Sequence, residues 1–140
     1  MTEVIFVEVT QNLMEMRACA IAERTYVKGD RLQIIAADQQ QAVRLDSLLW
    51  TFRPDSFVPH GLLEGEKDDN VPPVLICARE ERFPGFDFLL MLDYCPVEIV
   101  GQFSNAIHLV VLDNPERLEA SRRYWSQLKE AGFTLRHQRR

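Results

Sequence analysis

Residues 86–92, Phe-Asp-Phe-Leu-Leu-Met-Leu, and residues 107–112, Ile-His-Leu-Val-Val-Leu, are two short and nearly continuous apolar runs. A strand covered on one face alternates apolar and polar side chains, whereas a strand covered on both faces has no polar side. These runs therefore predict strands inside a parallel sheet sandwiched between helices. Residues 74–78 and 32–37 repeat the pattern, and residues 3–9 open the chain with a β-rich segment. Between them the spacing becomes helical. Leu13, Met16, Ala20 and Val27 recur on one helical face and stop at Gly29, with Thr10 and Asn12 as candidate caps. Asp38 heads a second helix that carries Ala42, Leu45 and Leu49 inward, and residues 97–103 suit a short helix. A last helix is bounded by Asp113 or Asn114, Pro115 and Gly132. The alternation predicts an α/β fold: one three-layer αβα domain over residues 1–140, with a mostly parallel sheet and a frayed tail over 135–140.

Charge narrows the possible partners. The net charge is −5, yet residues 1–112 carry a balance of −8 and residues 113–140 one of +3. An acidic body opposes general nucleic-acid binding, while the basic C-terminal segment suits a polyphosphate or an acidic peptide. The acidic run over 64–69 reads as a solvated turn. No apolar run approaches the roughly 18 to 20 residues that span a bilayer, so no membrane association is expected. Cys19, Cys77 and Cys95 are odd in number and lack CxxC spacing, which predicts reduced, buried thiols. With no basic stretch ahead of an apolar one at the start, the expected location is the cytoplasm.

Catalytic patterns are weak. The turn after the first strand, Thr10-Gln11-Asn12-Leu13, lacks the glycines that let backbone N–H groups approach a pyrophosphate, and Gly61 and Gly65 precede no Lys-Ser/Thr. The fold is thus Rossmann-like without a dinucleotide-binding motif, and no cofactor or small-molecule substrate is expected. Asp55, His60 and Cys95 make a hydrolytic set on paper, and Asp87, Asp93 and His108 a metal set. His60 suits a turn, and His108, within an apolar strand, suits a core histidine; neither set has a nucleophile elbow or a metal-binding spacing.

Two features point instead to binding. Residues 44–61 run from a helix into a proline-stiffened loop and bring Trp50, Phe52 and Phe57 together, either as exposed anchors or as plugs of the core. On the last helix, Leu118, Arg122, Trp125 and Lys129 are spaced four, three and four apart and share a face that mixes apolar groups with cations. Such a face can hold an acidic peptide with an aromatic end, or it can be a helix whose tryptophan packs inward while its cations reach outward.

Leu45-Asp46, Leu49-Trp50 and Ser56-Phe57-Val58-Pro59-His60 resemble the signature of the chi subunit of bacterial DNA polymerase III holoenzyme, an accessory protein of the clamp loader. Phe6-Val7, Tyr26-Val-Lys-Gly29 and the helix from Arg122-Arg-Tyr-Trp125 to Ala131-Gly132-Phe133 extend the likeness nearly end to end. The resemblance implies a non-catalytic adaptor of DNA replication, associated with the replisome. It would join the psi subunit of the clamp loader to the acidic, Pro-Phe-ending C-terminal tail of single-stranded DNA-binding protein. Carried onto this chain, the tail site falls on Val111, Arg122 and Trp125, with Leu118 and Lys129 on the same helix. Arg122 would meet the terminal carboxylate. Leu118 and Ser126 stand where some relatives have lysines, which leaves fewer cations here. The psi surface maps to Trp50 and Phe57, beside Phe52, and the resemblance adds a repair helicase as a rival for it. Two other functions compete: direct binding of single-stranded DNA by the basic last helix, with Trp125 stacking on a base, and a small hydrolase using His60.

Overall fold

The computed structural model describes residues 2–63 and 71–139. The acidic run over 64–69 and Arg140 lie outside the described residues. Seven strands form one sheet: β1 (Glu3–Val9), β2 (Leu32–Ile35), β3 (His60–Leu62), β4 (Val74–Cys77), β5 (Phe88–Met91), β6 (Asn105–Val111) and β7 (Thr134–Gln138). Their order across the sheet is β3-β4-β2-β5-β6-β1-β7, and every pairing is parallel. The expected mostly parallel sheet is wholly parallel. Helices α1 (Met14–Val27), α2 (Gln39–Thr51), α3 (Val97–Val100) and α4 (Pro115–Glu130) supply the outer layers.

Burial on both faces explains the continuous apolar runs. Strand β6 shows the division residue by residue. Leu109 and Val111 join a core formed with α1 and α2, whereas Ala106 and Val110 join a second core with Tyr124 and Leu128 of α4. The sheet separates these two cores, and a step of one residue along a strand moves a side chain from one to the other.

The helix ends follow local chemistry. Asp38 accepts the Gln41 N–H at 2.8 Å and starts α2, and Asn114 accepts the Arg117 N–H at 3.2 Å and starts α4. Gly132, at φ 91°, ends α4 in the left-handed region, which costs other residues about 1–2 kcal/mol. The start of α1 departs from expectation. Neither Thr10 nor Asn12 caps it by a side chain; a turn of 3-10 helix (Gln11–Leu13) precedes it, and the Gln11 N–H donates to Asp113 Oδ1 at 2.8 Å. The carboxylate that satisfies this donor comes from the loop after β6, so local spacing could not reveal it.

Two strands escape the hydrophobic pattern because they form the edges of the sheet. Strand β3 lies in the stretch read as loop and pairs three residues with β4. Strand β7 corrects the expectation of fraying beyond Leu135: Thr134 to Gln138 pair in register with Glu3 to Val7. Its side chains are mostly exposed and polar, so the backbone ladder and polar side-chain contacts, rather than an apolar run, mark it as a strand. Arg136 meets Glu3 at 3.0 Å and His137 meets Glu8 at 2.8 Å.

Candidate peptide-binding surfaces

The α4 surface is concave. Phe6 and Glu8 of β1, Val110 of β6, Leu112 beyond it, His137 of β7, and Leu118, Ser121, Arg122 and Trp125 of α4 enclose an open groove of about 500 Å³. Trp125 stands edge-on against Phe6, with ring centroids 5.0 Å apart and planes at 83°, the favoured geometry for an aromatic pair. The indole is thereby held as one wall. Arg122 sits at the mouth with 68% of its side chain exposed, and among the described residues it pairs with Glu119 at 3.5 Å, one turn back on the same helix. Exposed pairs of this kind contribute about 0–1 kcal/mol, so an incoming carboxylate can displace it at little cost.

Of the residues expected on this surface, Leu118, Arg122 and Trp125 come together. Lys129 is exposed, one turn beyond the groove. Val111 does not belong: it is 1% exposed and packs in the core with α1 and α2, on the other side of the sheet. Its neighbours Val110 and Leu112 line the groove instead. The physical reason is the two-residue period of a strand, which turns adjacent side chains to opposite faces. Phe6, Glu8 and His137 were missed because β1 and β7 are distant in sequence from α4; the even-numbered positions of β1 share the α4 side of the sheet with the odd-numbered positions of β7, and only the pairing register, with Phe6 opposite His137, shows this.

Beneath the groove lies a buried polar device. His108 is fully buried, its Nε2 lies 2.9 Å from Ser121 Oγ, and its buried Nδ1 has no hydrogen-bond partner among the described residues. Burial, reinforced by the Arg117 guanidinium, pushes its pKa down to about 3, so the ring is neutral near pH 7. Phe6, Tyr94 and Tyr124 surround it at centroid distances of 4.7, 5.1 and 5.1 Å. The Tyr124 hydroxyl donates to the Cys95 carbonyl at 2.6 Å. Together these contacts lock the inner face of α4, and so the outer face is presented in one orientation.

The second surface is an exposed aromatic pair. Trp50, at the end of α2, is 58% exposed and Phe57, in the following loop, 66%. Their rings lie 6.0 Å apart. Large apolar side chains left this open and paired are what a protein partner would cover. Phe52 departs from the expected trio: it is half-buried against the α1–α2 core, with the Arg53 guanidinium over its ring at 5.5 Å. The helical turn between Trp50 and Phe52 rotates the second ring inward.

His60 holds this loop in place. Its Nδ1 lies 2.7 Å from the Val58 carbonyl oxygen, and its Nε2 lies 3.1 Å from the Asp46 carbonyl oxygen and 3.3 Å from Asp46 Oδ1. The Trp50 indole packs against the imidazole in a tilted arrangement, with centroids 4.8 Å apart and planes at 58°. The ring nitrogens that a hydrolase would use are engaged in tying the loop to α2. Cys95 belongs to the other core, across the sheet, and burial pushes its thiol up to about 12. Asp55, His60 and Cys95 therefore do not form a catalytic set. Nor do Asp87, Asp93 and His108 gather: among the described residues no three His, Cys, Asp or Glu side chains are placed to hold a metal ion. Cys19, Cys77 and Cys95 are free and buried. Among the described residues no helix is long and apolar enough to cross a membrane.

Where a doubly wound sheet would receive a phosphate, at the turn from β1 into the first helix, this chain places a carboxylate of its own. Asp113 accepts from Gln11, and Asn114 Nδ2 donates to Gln11 Oε1 at 3.1 Å. A phosphate there would have to displace a like charge.

Residues 1–136 match the family model described as DNA polymerase III chi subunit, HolC. The DNA polymerase III subunit chi of Pseudomonas aeruginosa is 32% identical over 122 residues, covering 87% of this chain and 83% of that protein. The protein of the same name from Escherichia coli K12 is 32% identical over 123 residues, covering 87% and 82%. Among solved structures, domain 2 of the DEAD-box helicase Mss116p, bound to an RNA duplex, superposes on all of this chain with a TM-score of 0.64. The match spans 64% of that chain at 14% identity, and it bears on the fold alone.

Proposed function

The chain belongs to the DNA polymerase III chi subunit family, and from that premise we propose that it is a non-catalytic, two-sided adaptor working as one domain at the replisome. The α4 groove would hold the acidic, Pro-Phe-ending tail of single-stranded DNA-binding protein, and the Trp50–Phe57 surface would hold the psi subunit of the clamp loader. The observation that carries this reading is the groove itself: an apolar cleft walled by Trp125 and Phe6, with a weakly engaged guanidinium at its mouth. A terminal phenylalanine would enter between Leu118, Val110 and Trp125, while Arg122 would meet the terminal carboxylate through charge-assisted hydrogen bonds.

The two surfaces can be occupied together. Strand β3, beside α2, and strand β7, beside the groove, are the two edges of the sheet. Six interstrand spacings separate them, roughly 29 Å. A repair helicase using the Trp50–Phe57 surface would compete with psi but not with the tail.

Titration with a labelled acidic peptide ending in Pro-Phe tests the groove. The wild-type protein should bind it, more weakly as salt rises. Arg122→Ala should cost about 1.5–3 kcal/mol, on the order of tenfold to a hundredfold in affinity. Undetectable binding to the wild type, or equal affinity in the variant, would remove the tail assignment.

A further inference from the structure

The spacing that singles out α4 recurs on α1. Arg17, Ile21, Arg24 and Lys28 are separated by four, three and four residues, as Leu118, Arg122, Trp125 and Lys129 are. In the structure this flank of α1 borders a second groove of about 220 Å³, on the opposite side of the sheet from α4. Its floor includes Ile5, Phe88 and Ile107, half-buried residues that α1 and α2 leave partly uncovered. The two helices of this layer lie mainly over β2, β3 and β4, and Ile5 of β1 and Ile107 of β6 stay half-buried beside α1.

The charges are unbalanced. Arg17, Arg24 and Lys28 form no ion pair among the described residues, and Asp30 is the one carboxylate on the lining. Nearby Arg136 is already matched by Glu3. The negative end of the α1 macrodipole accounts for cations at Arg24 and Lys28, but Arg17 lies near the positive end, where a cation is disfavoured. Along the helix the three cations are spread over eleven residue steps, roughly 16 Å, about the length of five residues of extended chain.

We propose that this α1 flank is a second docking groove, for an acidic peptide segment bearing an aliphatic or aromatic anchor, and that it acts independently of the α4 site. Charge complementarity selects an acidic partner, and the floor selects a side chain over a nucleobase: Ile5, Val7 and Ile107 are aliphatic, and Phe88 is the one ring on the lining. The acidic balance of the first 112 residues also opposes a long polyanion more than a short peptide.

The test uses the full chain carrying Arg122→Ala, with a labelled peptide of alternating glutamate and leucine as probe and labelled oligo-deoxythymidine as the competing class. Backbone NMR should show the peptide perturbing Ile5, Phe88 and Ile107. The combined Arg17→Gln, Arg24→Gln, Lys28→Gln variant, whose replacements favour helix, should bind it about tenfold more weakly. Perturbations confined to α4, unchanged affinity in the triple variant, or absence of peptide binding would overturn the proposal. So would tighter binding of the oligonucleotide through the same three cations, which would make the groove a single-strand contact.

Discussion

The α4 groove and the Trp50–Phe57 surface present apolar area in opposite ways, and the difference separates recognition of a chain end from recognition of a folded partner. In the groove the aromatic wall is braced from within by Phe6, and the charge at the mouth is held only loosely by Glu119. On the α2 side the aromatic pair projects outward, with Trp50 braced by the tilted ring of His60. A cleft with a cation at its mouth reads a short segment that brings both an apolar side chain and a carboxylate. An aromatic pair that projects into solvent inserts into a pocket that the partner supplies. Specificity on one side therefore rests on charge and depth, and on the other on shape and apolar area.

The largest expected effect separates the two surfaces directly. Replacing Trp50 and Phe57 together by alanine should weaken a purified psi subunit by about 3–4 kcal/mol, on the order of several hundredfold, because paired aromatic anchors dominate such contacts. Urea unfolding should shift by less than about 0.5 kcal/mol, since both rings are more than half exposed. Tail-peptide affinity should remain within twofold or so. Parallel loss of folding stability and of both affinities would show that the aromatic pair is structural.

A smaller effect distinguishes the histidines behind the surfaces. The folded-state pKa of His108, about 3, lies below the usual 6.5, so between those values the unfolded chain binds more protons. The sign follows: stability is full above about pH 6.5 and is lost as pH falls toward 3. Between pH 7 and pH 5 the loss should be about 2 kcal/mol, and His108→Gln should remove that part of the slope in urea titrations while lowering stability at pH 7. An unchanged slope would mean that acid sensitivity lies elsewhere. His60 differs in its surroundings, since both of its ring nitrogens meet oxygens of Val58 and Asp46; its replacement should loosen the loop under Phe57 rather than α4.

Legibility in the sequence divides along similar lines. The interior strands, the Asp38 cap and the Gly29 and Gly132 stops were readable because each depends on local chemistry or on burial of both faces. The edge strands β3 and β7 were not, because an edge needs no apolar run; backbone pairing holds it, joined on β7 by the Arg136–Glu3 ion pair. The same limit governs the sites. Arg122, Trp125 and Leu118 share a helix, so helical spacing finds them. Phe6 and His137 reach the groove from β1 and β7, and their register exists only once the sheet is assembled. Phe52 was misplaced for a related reason: proximity in sequence to Trp50 says nothing of which way a helix turn points.

Adjacent valines on β6 give the finest contrast, because one residue of register decides which of them a bound tail could touch. Val110 is 7% exposed and lines the groove, while Val111 is 1% exposed in the core across the sheet. Each substitution by alanine removes two methyl groups, yet the losses should appear in different measurements. Val110→Ala should lower tail-peptide affinity by about 0.8 kcal/mol, roughly fourfold, because part of the apolar lining is gone. Val111→Ala should lower folding stability by about 1.5–2 kcal/mol and leave that affinity unchanged, since its cavity opens under α1 rather than under Trp125. Titrations of both variants at a temperature where each is fully folded separate the outcomes. A larger affinity loss in Val111→Ala would mean either that the tail is read through a shift of the sheet or that it binds on the α1 side.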